Sequence, residues 1–219
     1  MVDIKGRERV EGVTIAEVDE KGKPIQGTEE FYPCDTLLLS VGLIPENELS
    51  RGMGVDINPV TSGPRVNESL ETNIDGVFAC GNVLHVHDLV DYVSEEAAAA
   101  GKNAASYVKG ENAEKDVTKK DMAKKNMGRD VILKPASGVR YTVPEKIRVS
   151  CMEENLTVRF RVGSVYKNCY VRVDFDGEKV INKKRQIVAP GEMEEIKLTK
   201  DQLLQYPDLK TITVMIEGV

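Results

Sequence analysis

Two histidines, His85 and His87, are the side chains of this chain best suited to proton transfer at neutral pH. They are separated by one residue and stand just before a segment of helical composition. Either imidazole could act as a general acid or base toward a cofactor or substrate bound beside the helix. The alternative is that both rings make capping hydrogen bonds in a loop. The next residue, Asp88, is expected to cap the helix rather than to act as an acid or base.

Residues 72–83 (TNIDGVFACGNV) end in a Gly-Asn pair and a valine, and a helix with the small-residue pattern Ala97-x-x-x-Gly101-x-x-Ala104-Ala105 follows. This arrangement resembles the second FAD fingerprint of the pyridine nucleotide-disulfide oxidoreductase family, whose members have two dinucleotide-binding domains. Residues 34–47 (CDTLLLSVGLIPEN) are similar to the family's segment Asp-x-(apolar)4-x-Gly-x-x-Pro-Asn, with Glu46 inserted between proline and asparagine. The order and the spacing of the two segments also match the family.

The resemblance implies that Gly81, Asn82 and Val83 contact the ribityl chain and the pyrophosphate of FAD. It also implies that Asp88 and Leu89 lie where the helix begins, beside the flavin ring. Glycine lets the backbone approach a ligand closely, and the positive end of a helix stabilises charge on reduced flavin. The family's usual aspartate is Asn82 here, which still donates and accepts hydrogen bonds but carries no charge. The implied cofactors of the complete protein are FAD and, as electron donor, NAD(P)H.

The phosphate-binding loops of the family are missing from this sequence. No Gly-x-Gly-x-x-Gly stands between a strand and a helix, although the family uses one such loop for FAD and another for NAD(P). In a complete protein both loops would precede residue 1. We therefore expect the C-terminal part of an FAD-dependent oxidoreductase that binds FAD poorly and is inactive by itself. The alternative is a non-catalytic subunit-docking module with a vestigial flavin half-site.

Residues 1–110 are expected to form the C-terminal part of an FAD/NAD(P)-binding domain of the α/β class. Residues 1–32 alternate apolar and polar positions around turn signals, which indicates a β-meander. Residues 34–42 and 76–80 are apolar runs of strand length, which suit a short parallel sheet covered on both faces. One long helix is expected from Leu89 to Val108, capped by Asp88 and ended by Gly110.

A domain boundary is expected at residues 111–130, where nearly every second residue is charged, as in a partly helical linker; the alternative is a solvated helix. From residue 131 onward, apolar residues recur at every second position. The expected strands include residues 156–162, 169–175, 179–181, 194–198 and 211–216, with a turn at Asp176-Gly177, a charged turn at Lys183–Arg185 and a helical turn at 200–204. Residues 131–219 therefore indicate a small antiparallel β-sandwich, an all-β domain.

Composition limits the other possibilities. The four cysteines are widely spaced and only two histidines are present, so we expect no metal site, no disulfide and no redox-active dithiol. Cys80 is expected to be a small apolar filler of a strand. A formal net charge of -6 argues against nucleic acid or an anionic membrane as the main partner. We expect no membrane span and a cytoplasmic protein. Open strand edges favour a homodimer or a partner subunit.

Overall fold

The computed structural model describes residues 1–110, 130–153 and 155–218. The chain divides into two compact units, Met1–Gly42 and Leu43–Val219, which are described separately. The predicted linker at residues 111–130 lies, except for its last residue, outside the described residues. The predicted boundary there stays a prediction.

The first unit contains a three-stranded antiparallel meander, as predicted for residues 1–32. Strands β1 (Asp3–Lys5), β2 (Gly12–Ile15) and β3 (Glu30–Pro33) pair in chain order, with Ile4 opposite Val13 and Thr14 opposite Phe31. Val13 is the apolar residue of this sheet that is buried. The register follows from the alternation of the strands, because a shift by one residue would expose Val13.

The strand predicted over residues 34–42 is not formed. This segment is irregular, and its apolar side chains are exposed, with Leu38 91% and Val41 78% accessible. A continuous apolar run forms a buried strand only when neighbouring strands take its backbone hydrogen bonds and both faces are covered. The described residues of the first unit provide neither, so the expectation of a parallel strand here was wrong for the structure observed.

The second unit begins with irregular chain that contains one short helix, α1 (Glu48–Gly52). Isolated bridges join Ile57 to Pro64 and Glu71 to Phe78. The predicted strand at residues 76–80 is therefore reduced to one bridge, and the parallel sheet expected in residues 1–110 is absent from those described residues. Side chains accept some of the backbone hydrogen bonds that a neighbouring strand would otherwise accept. The Asn67 Oδ1 atom, for example, accepts the backbone N–H groups of Ser69 and Glu71.

Helix α2 spans Val90–Val108, in agreement with the prediction, but Asp88 is not its cap. The residue at the N-cap position is Leu89, which makes no side-chain capping hydrogen bond. The Asp88 carboxylate instead accepts the Met193 N–H and pairs with Arg161, both at 3.3 Å. These partners come from distant parts of the chain, so the local capping rule could not foresee them. Glu96 and Ala100 are buried one turn apart on α2.

Residues 130–218 form the predicted β-rich region with two sheets. The strands are β4 (Asp130–Pro135), β5 (Val139–Val143), β6 (Lys146–Arg148), β7 (Asn155–Val162), β8 (Tyr166–Phe175), β9 (Glu178–Val188), β10 (Glu194–Thr199) and β11 (Thr211–Gly218), with helix α3 (Lys200–Leu204) before the last strand. One sheet has the order β10-β7-β5 and the other β6-β4-β11-β8-β9. All pairs are antiparallel except β11 with β4, a parallel pair that was not predicted.

The core of this region lies between the inward-facing positions of the two sheets. Phe160, Ile196 and Ile212 are at most 1% exposed and belong to one apolar cluster. The predicted turn at Asp176-Gly177 joins β8 to β9, and both residues have positive φ. The turn predicted at Lys183–Arg185 is wrong, because these residues lie inside β9. Since β9 is an edge strand, its lysines fit the rule that charged side chains protect exposed sheet edges.

The irregular chain of residues 43–89 packs on the β-rich region of the same unit. Val66, Ala79 and Leu84 share an apolar cluster with Tyr141 and Val143 of β5. Polar contacts accompany this cluster, because the Glu145 carboxylate accepts hydrogen bonds from Asn58 and Arg65. None of the described helices is long and apolar enough to cross a membrane.

Candidate functional site

The bend at Gly81–Val83 is a single 3-10 turn that requires glycine at its first position. Gly81 has φ of 68°, a left-handed value that side chains other than glycine rarely adopt. The Gly81 carbonyl accepts the N–H groups of Leu84 and His85 and closes the turn. The Gly81 N–H donates to the Glu96 Oε2 atom at 2.6 Å. The bend is therefore held from inside by helix α2.

Glu96 is the centre of a buried polar cluster that the sequence prediction missed. The His85 Nε2 atom lies 2.9 Å from Glu96 Oε1, and the His87 Nε2 atom lies 3.1 Å from Glu96 Oε2. All three side chains are at most 2% exposed. The two imidazole rings meet edge to face, with centroids 4.4 Å apart. One carboxylate thus holds both histidines and the bend.

The surroundings of Glu96 keep it ionised. Burial raises the pKa of the Glu96 carboxyl, but the hydrogen bonds from His85, His87 and the Gly81 N–H lower it more, to about 2. Burial also lowers the pKa of His85, because the charged imidazolium loses hydration. A neutral His85 ring donating from Nε2 to the carboxylate agrees with both shifts. The Nδ1 atoms of His85 and His87 are buried and have no hydrogen-bond partner among the described residues.

The cluster also contains the ligand types of a transition-metal site. His85, His87 and Glu96 each offer one ligand atom, and these atoms lie within 4.8 Å of one another. Two observations favour a hydrogen-bonded cluster instead. The Gly81 N–H and both imidazoles already occupy the carboxylate oxygens. The Arg159 guanidinium lies 3.8 Å from Glu96 Oε1 and already balances its charge. The expectation of no metal site stays a prediction.

Two arginines of strand β7 contact this region. Arg159 pairs with Glu95 at 2.8 Å and stands over the Tyr92 ring at 5.3 Å. Arg161 donates to the Val86 carbonyl at 3.0 Å and to Asp88 at 3.3 Å. The two positions are two residues apart and therefore lie on one face of β7. This face would be solvent-exposed in an isolated sandwich, but here it lies against residues 86–96.

The opposite side of the bend is open. Asn82, Val83 and Leu89 are exposed, and Val90, the first residue of α2, is 74% exposed. The Asn82 Oδ1 atom accepts the His87 N–H at 3.1 Å, which leaves the amide group of Asn82 free to donate outward. The start of α2 has no side-chain cap, so its backbone N–H groups can face a ligand. This side of the bend is therefore exposed and carries hydrogen-bond donors.

The predicted site residues therefore divide into two groups. His85 and His87, the catalytic candidates, are buried against Glu96, where they hold the loop and do not reach a molecule in solvent. The predicted FAD contacts are a buried residue, Gly81, and four exposed residues in or after the bend, Asn82, Val83, Asp88 and Leu89. That they contact FAD stays a prediction. Cys80 is half-buried, and burial followed by the nearby Glu96 charge raises its thiol pKa.

Sequence reasoning missed Glu96, Arg159 and Arg161. Glu96 carried one usable signal, because it stands four residues before Ala100 on the face of α2 that packs inward. An acid on such a face needs buried donors. The arginines occupy the polar positions of an alternating strand, which normally face solvent. The sequence gives no local sign that another segment covers them.

Comparisons with known proteins match the part of the sequence that contains the bend and helix α2. Residues 2–104 match the family described as pyridine nucleotide-disulphide oxidoreductase. The chain is 30% identical to dihydrolipoyl dehydrogenase of Trypanosoma brucei brucei over 155 residues, which are 69% of this chain and 26% of that protein. It is 31% identical to the NAD(P)H sulfur oxidoreductase (CoA-dependent) of Pyrococcus furiosus over 113 residues, 51% of this chain and 22% of the relative.

A further relative is the glutamate synthase [NADH] of Schizosaccharomyces pombe, 32% identical over 75 residues, which are 34% of this chain and 4% of that enzyme. The chain thus spans 26% or less of the length of each of these relatives. No solved structure gives a significant match.

The glycine bend and most of helix α2 lie inside residues 2–104, the segment that matches the class of pyridine nucleotide-disulphide oxidoreductases. Within that class, the chain is a pyridine nucleotide-disulphide oxidoreductase-like protein, with residues 2–104 carrying the family match.

Proposed function

We propose that this chain provides the second wall of an FAD site in an oxidoreductase that transfers hydride between NAD(P)H, or a reduced substrate, and flavin. The observation that carries the proposal is the open side of the bend: an uncapped helix start stands next to Asn82 and Val83, while the inner side of the same bend is fixed by Glu96. A rigid inner side and an exposed outer side are what a preorganised ligand surface requires.

Each residue has a defined task in this proposal. Gly81 permits the left-handed bend, and Asn82 donates its side-chain amide to the ribityl hydroxyls or the pyrophosphate. Val83 and Leu89 offer apolar surface at its edge. The backbone N–H groups at the start of α2 favour negative charge in front of the helix. The chemistry that bound FAD supplies is the acceptance and release of hydride.

We further propose that the chain by itself binds FAD weakly and has no activity, since its sequence lacks both glycine-rich phosphate loops. Large apolar side chains are exposed in the second unit, with Ile44 81% and Leu49 87% accessible, which supports association with a second copy or a partner subunit. Sedimentation of the purified chain tests this proposal, and a monodisperse monomer would contradict it. We place the protein in the cytoplasm, which cell fractionation tests.

The hydride-transfer function is tested on the protein recovered from its own cells, together with whatever is bound to it. The visible absorption bands of oxidised flavin, bleached on addition of NADH or NADPH, would support the proposal. A colourless protein in stable complex with another subunit would contradict it and would favour the docking module. The 219-residue chain produced alone serves as the control and is expected to be colourless.

A further inference from the structure

We infer that the β-rich region positions the flavin-facing bend, and that it does so through Arg159 and Arg161 of β7. The inference rests on the proposed function for the meaning of the bend, but the contacts themselves do not depend on flavin. It assigns a task to residues 130–218, which are not part of the segment that matches the oxidoreductase family.

Arg161 is a three-way connection between the sandwich and the loop after the bend. Its Nη1 atom donates to the Pro190 carbonyl at 3.0 Å, and its Nη2 atom donates to the Val86 carbonyl at 3.0 Å and to Asp88 Oδ1 at 3.3 Å. The side chain is 14% exposed. A planar guanidinium serves acceptors in several directions at once, which a lysine ammonium does with less geometric control.

Asp88 provides a second connection at the same place. Its Oδ2 atom accepts the Met193 N–H at 3.3 Å, while its Oδ1 atom contacts Arg161. Residues 86–88 are thereby fixed to the β9–β10 connection of the sandwich. Because α2 begins at Val90, these contacts determine where the start of the helix stands.

Arg159 fixes the first turns of the helix itself. Its guanidinium pairs with Glu95 at 2.8 Å, lies 3.8 Å from Glu96 and stands over the Tyr92 ring. The Arg159 side chain is only 8% exposed and Glu96 only 2%, so water screens the contact between these two side chains little, whereas Glu95 is 68% exposed. Neither arginine has a hydrogen bond to Asn82 or Val83 in the described structure. Both are therefore positioning residues that act through the loop and the helix.

The test is residue-resolved amide hydrogen exchange on the full chain with the substitution Arg161→Met, which keeps most of the apolar stem and removes the donors. The matched control is Arg172→Met on β8, since Arg172 pairs with Asp174 and Glu217 within the sandwich. In Arg161→Met, we expect the hydrogen-bonded amides of Gly81, His85 and His87 to exchange about tenfold faster or more, while amides of β8 and β11 are unchanged. The control should leave the bend unaffected.

An equal acceleration of amide exchange throughout the chain would show that Arg161 only stabilises the fold, and it would overturn the inference. Unchanged amide exchange in the bend would overturn it as well. If Arg161→Met does not fold, Arg161→Lys replaces it, with a smaller acceleration confined to the same amides. A parallel titration with FAD separates the two proposals. If the substitution of Arg161 accelerates amide exchange in the bend but FAD changes nothing there, Arg161 positions the bend and the proposed flavin site is contradicted. If the unsubstituted chain and Arg161→Met bind FAD at the bend with equal affinity, the inference that Arg161 positions the bend is contradicted.

Discussion

The two parts of the second unit are stabilised in different ways. Residues 130–218 have paired strands and an apolar core that contains Phe160 and Ile212, both fully buried. Residues 43–110 have one long helix and little other regular structure, and their apolar cluster is completed by Tyr141 and Val143 of the sandwich. The side chains buried at the centre of residues 43–110 are instead the polar cluster around Glu96.

The two parts should therefore respond differently to substitution. An apolar core is stabilised by area removed from water, and its energy is spread over many residues. A buried carboxylate with three donors concentrates its effect in one side chain, because each donor is costly to leave unpaired. Substitutions in the sandwich core should therefore lower the stability of the unit most, and substitutions in the cluster should lower it when they remove Glu96 and should also rearrange the bend.

The largest effect is expected from Phe160→Ala in the core. Phe160 is fully buried, so truncation should lower the free energy of unfolding by about 3–5 kcal/mol. Urea unfolding followed by circular dichroism measures this loss. Ile187→Ala on β9, where the side chain is 51% exposed, is the control and should cost less than about 1 kcal/mol. Similar losses for the two variants would contradict the assignment of the core.

Glu96→Gln is expected to lower the free energy of unfolding by about 2–4 kcal/mol, because the amide cannot serve as acceptor to all three donors and leaves the buried Arg159 with only the exposed Glu95 as charge partner. The neighbouring Glu95→Gln is the matched control. The Glu95 side chain is 68% exposed, so loss of its pair with Arg159 should cost less than about 1 kcal/mol. Equal costs at the two positions would show that the cluster is unimportant.

Acid should remove the contribution of ionised Glu96 to the free energy of unfolding. The folded pKa of Glu96 is lowered from 4.5 to about 2, so its contribution is complete above pH 4.5 and is lost as pH falls toward 2. A change of this size corresponds to a loss on the order of 3 kcal/mol. The difference in stability between the native chain and Glu96→Gln should narrow between pH 5 and pH 3. A difference that stays constant over this range would contradict an ionised Glu96.

The folded pKa of His85 is also lowered, mainly by burial, so the fold favours the neutral ring and protonation of His85 in acid favours the unfolded chain. Its contribution is therefore lost as pH falls below 6.5, before Glu96 begins to titrate. Unfolding measured between pH 8 and pH 5 should show this earlier loss in the native chain. His85→Gln should make the free energy of unfolding less dependent on pH in that range. An unchanged pH dependence would be evidence against a buried neutral ring.

Gly63→Ala should destabilise the loop by about 1–3 kcal/mol, because a Cβ atom at this position would overlap the Leu84 carbonyl oxygen, just after the bend. Gly52→Ala at the end of α1 is a control of opposite direction. No atom lies near the added methyl group there, and alanine favours helix by up to about 1 kcal/mol. Thermal unfolding of both variants measures the contrast. A neutral Gly63→Ala would show that the loop relaxes around the added group.

The sandwich was predictable because its signals are local. Alternation in residues 156–162 and the Asp176-Gly177 turn set the strands and a hairpin without knowledge of distant residues. The edge strand β9 was underestimated because Lys183 and Lys184 resemble a charged turn, although an edge strand also favours lysine. The parallel pairing of β4 with β11 depends on contacts across the whole region and has no local sequence signal.

The bend itself could be recognised from Gly81-Asn82 and the helix after it, because a left-handed glycine and a small-residue helix are readable in sequence. The partners of the bend could not. Asp88 satisfies the local rule for an N-cap but is drawn to Arg161 and Met193, which lie more than seventy residues away. Glu96 reads as one of two adjacent acids, and only the fold makes one buried and the other exposed.

The most direct test of the flavin-facing bend is an NMR titration of the chain with FAD, which detects even weak binding. Chemical-shift changes confined to the amides of Gly81 to Val83, the Asn82 side-chain amide and the first turn of α2 are expected. They should be lost in Asn82→Leu and retained in Asn182→Leu, a control at an exposed asparagine of β9. Shifts spread over the surface, or none at the bend at saturating FAD, would contradict the proposal that this bend forms one wall of a flavin site.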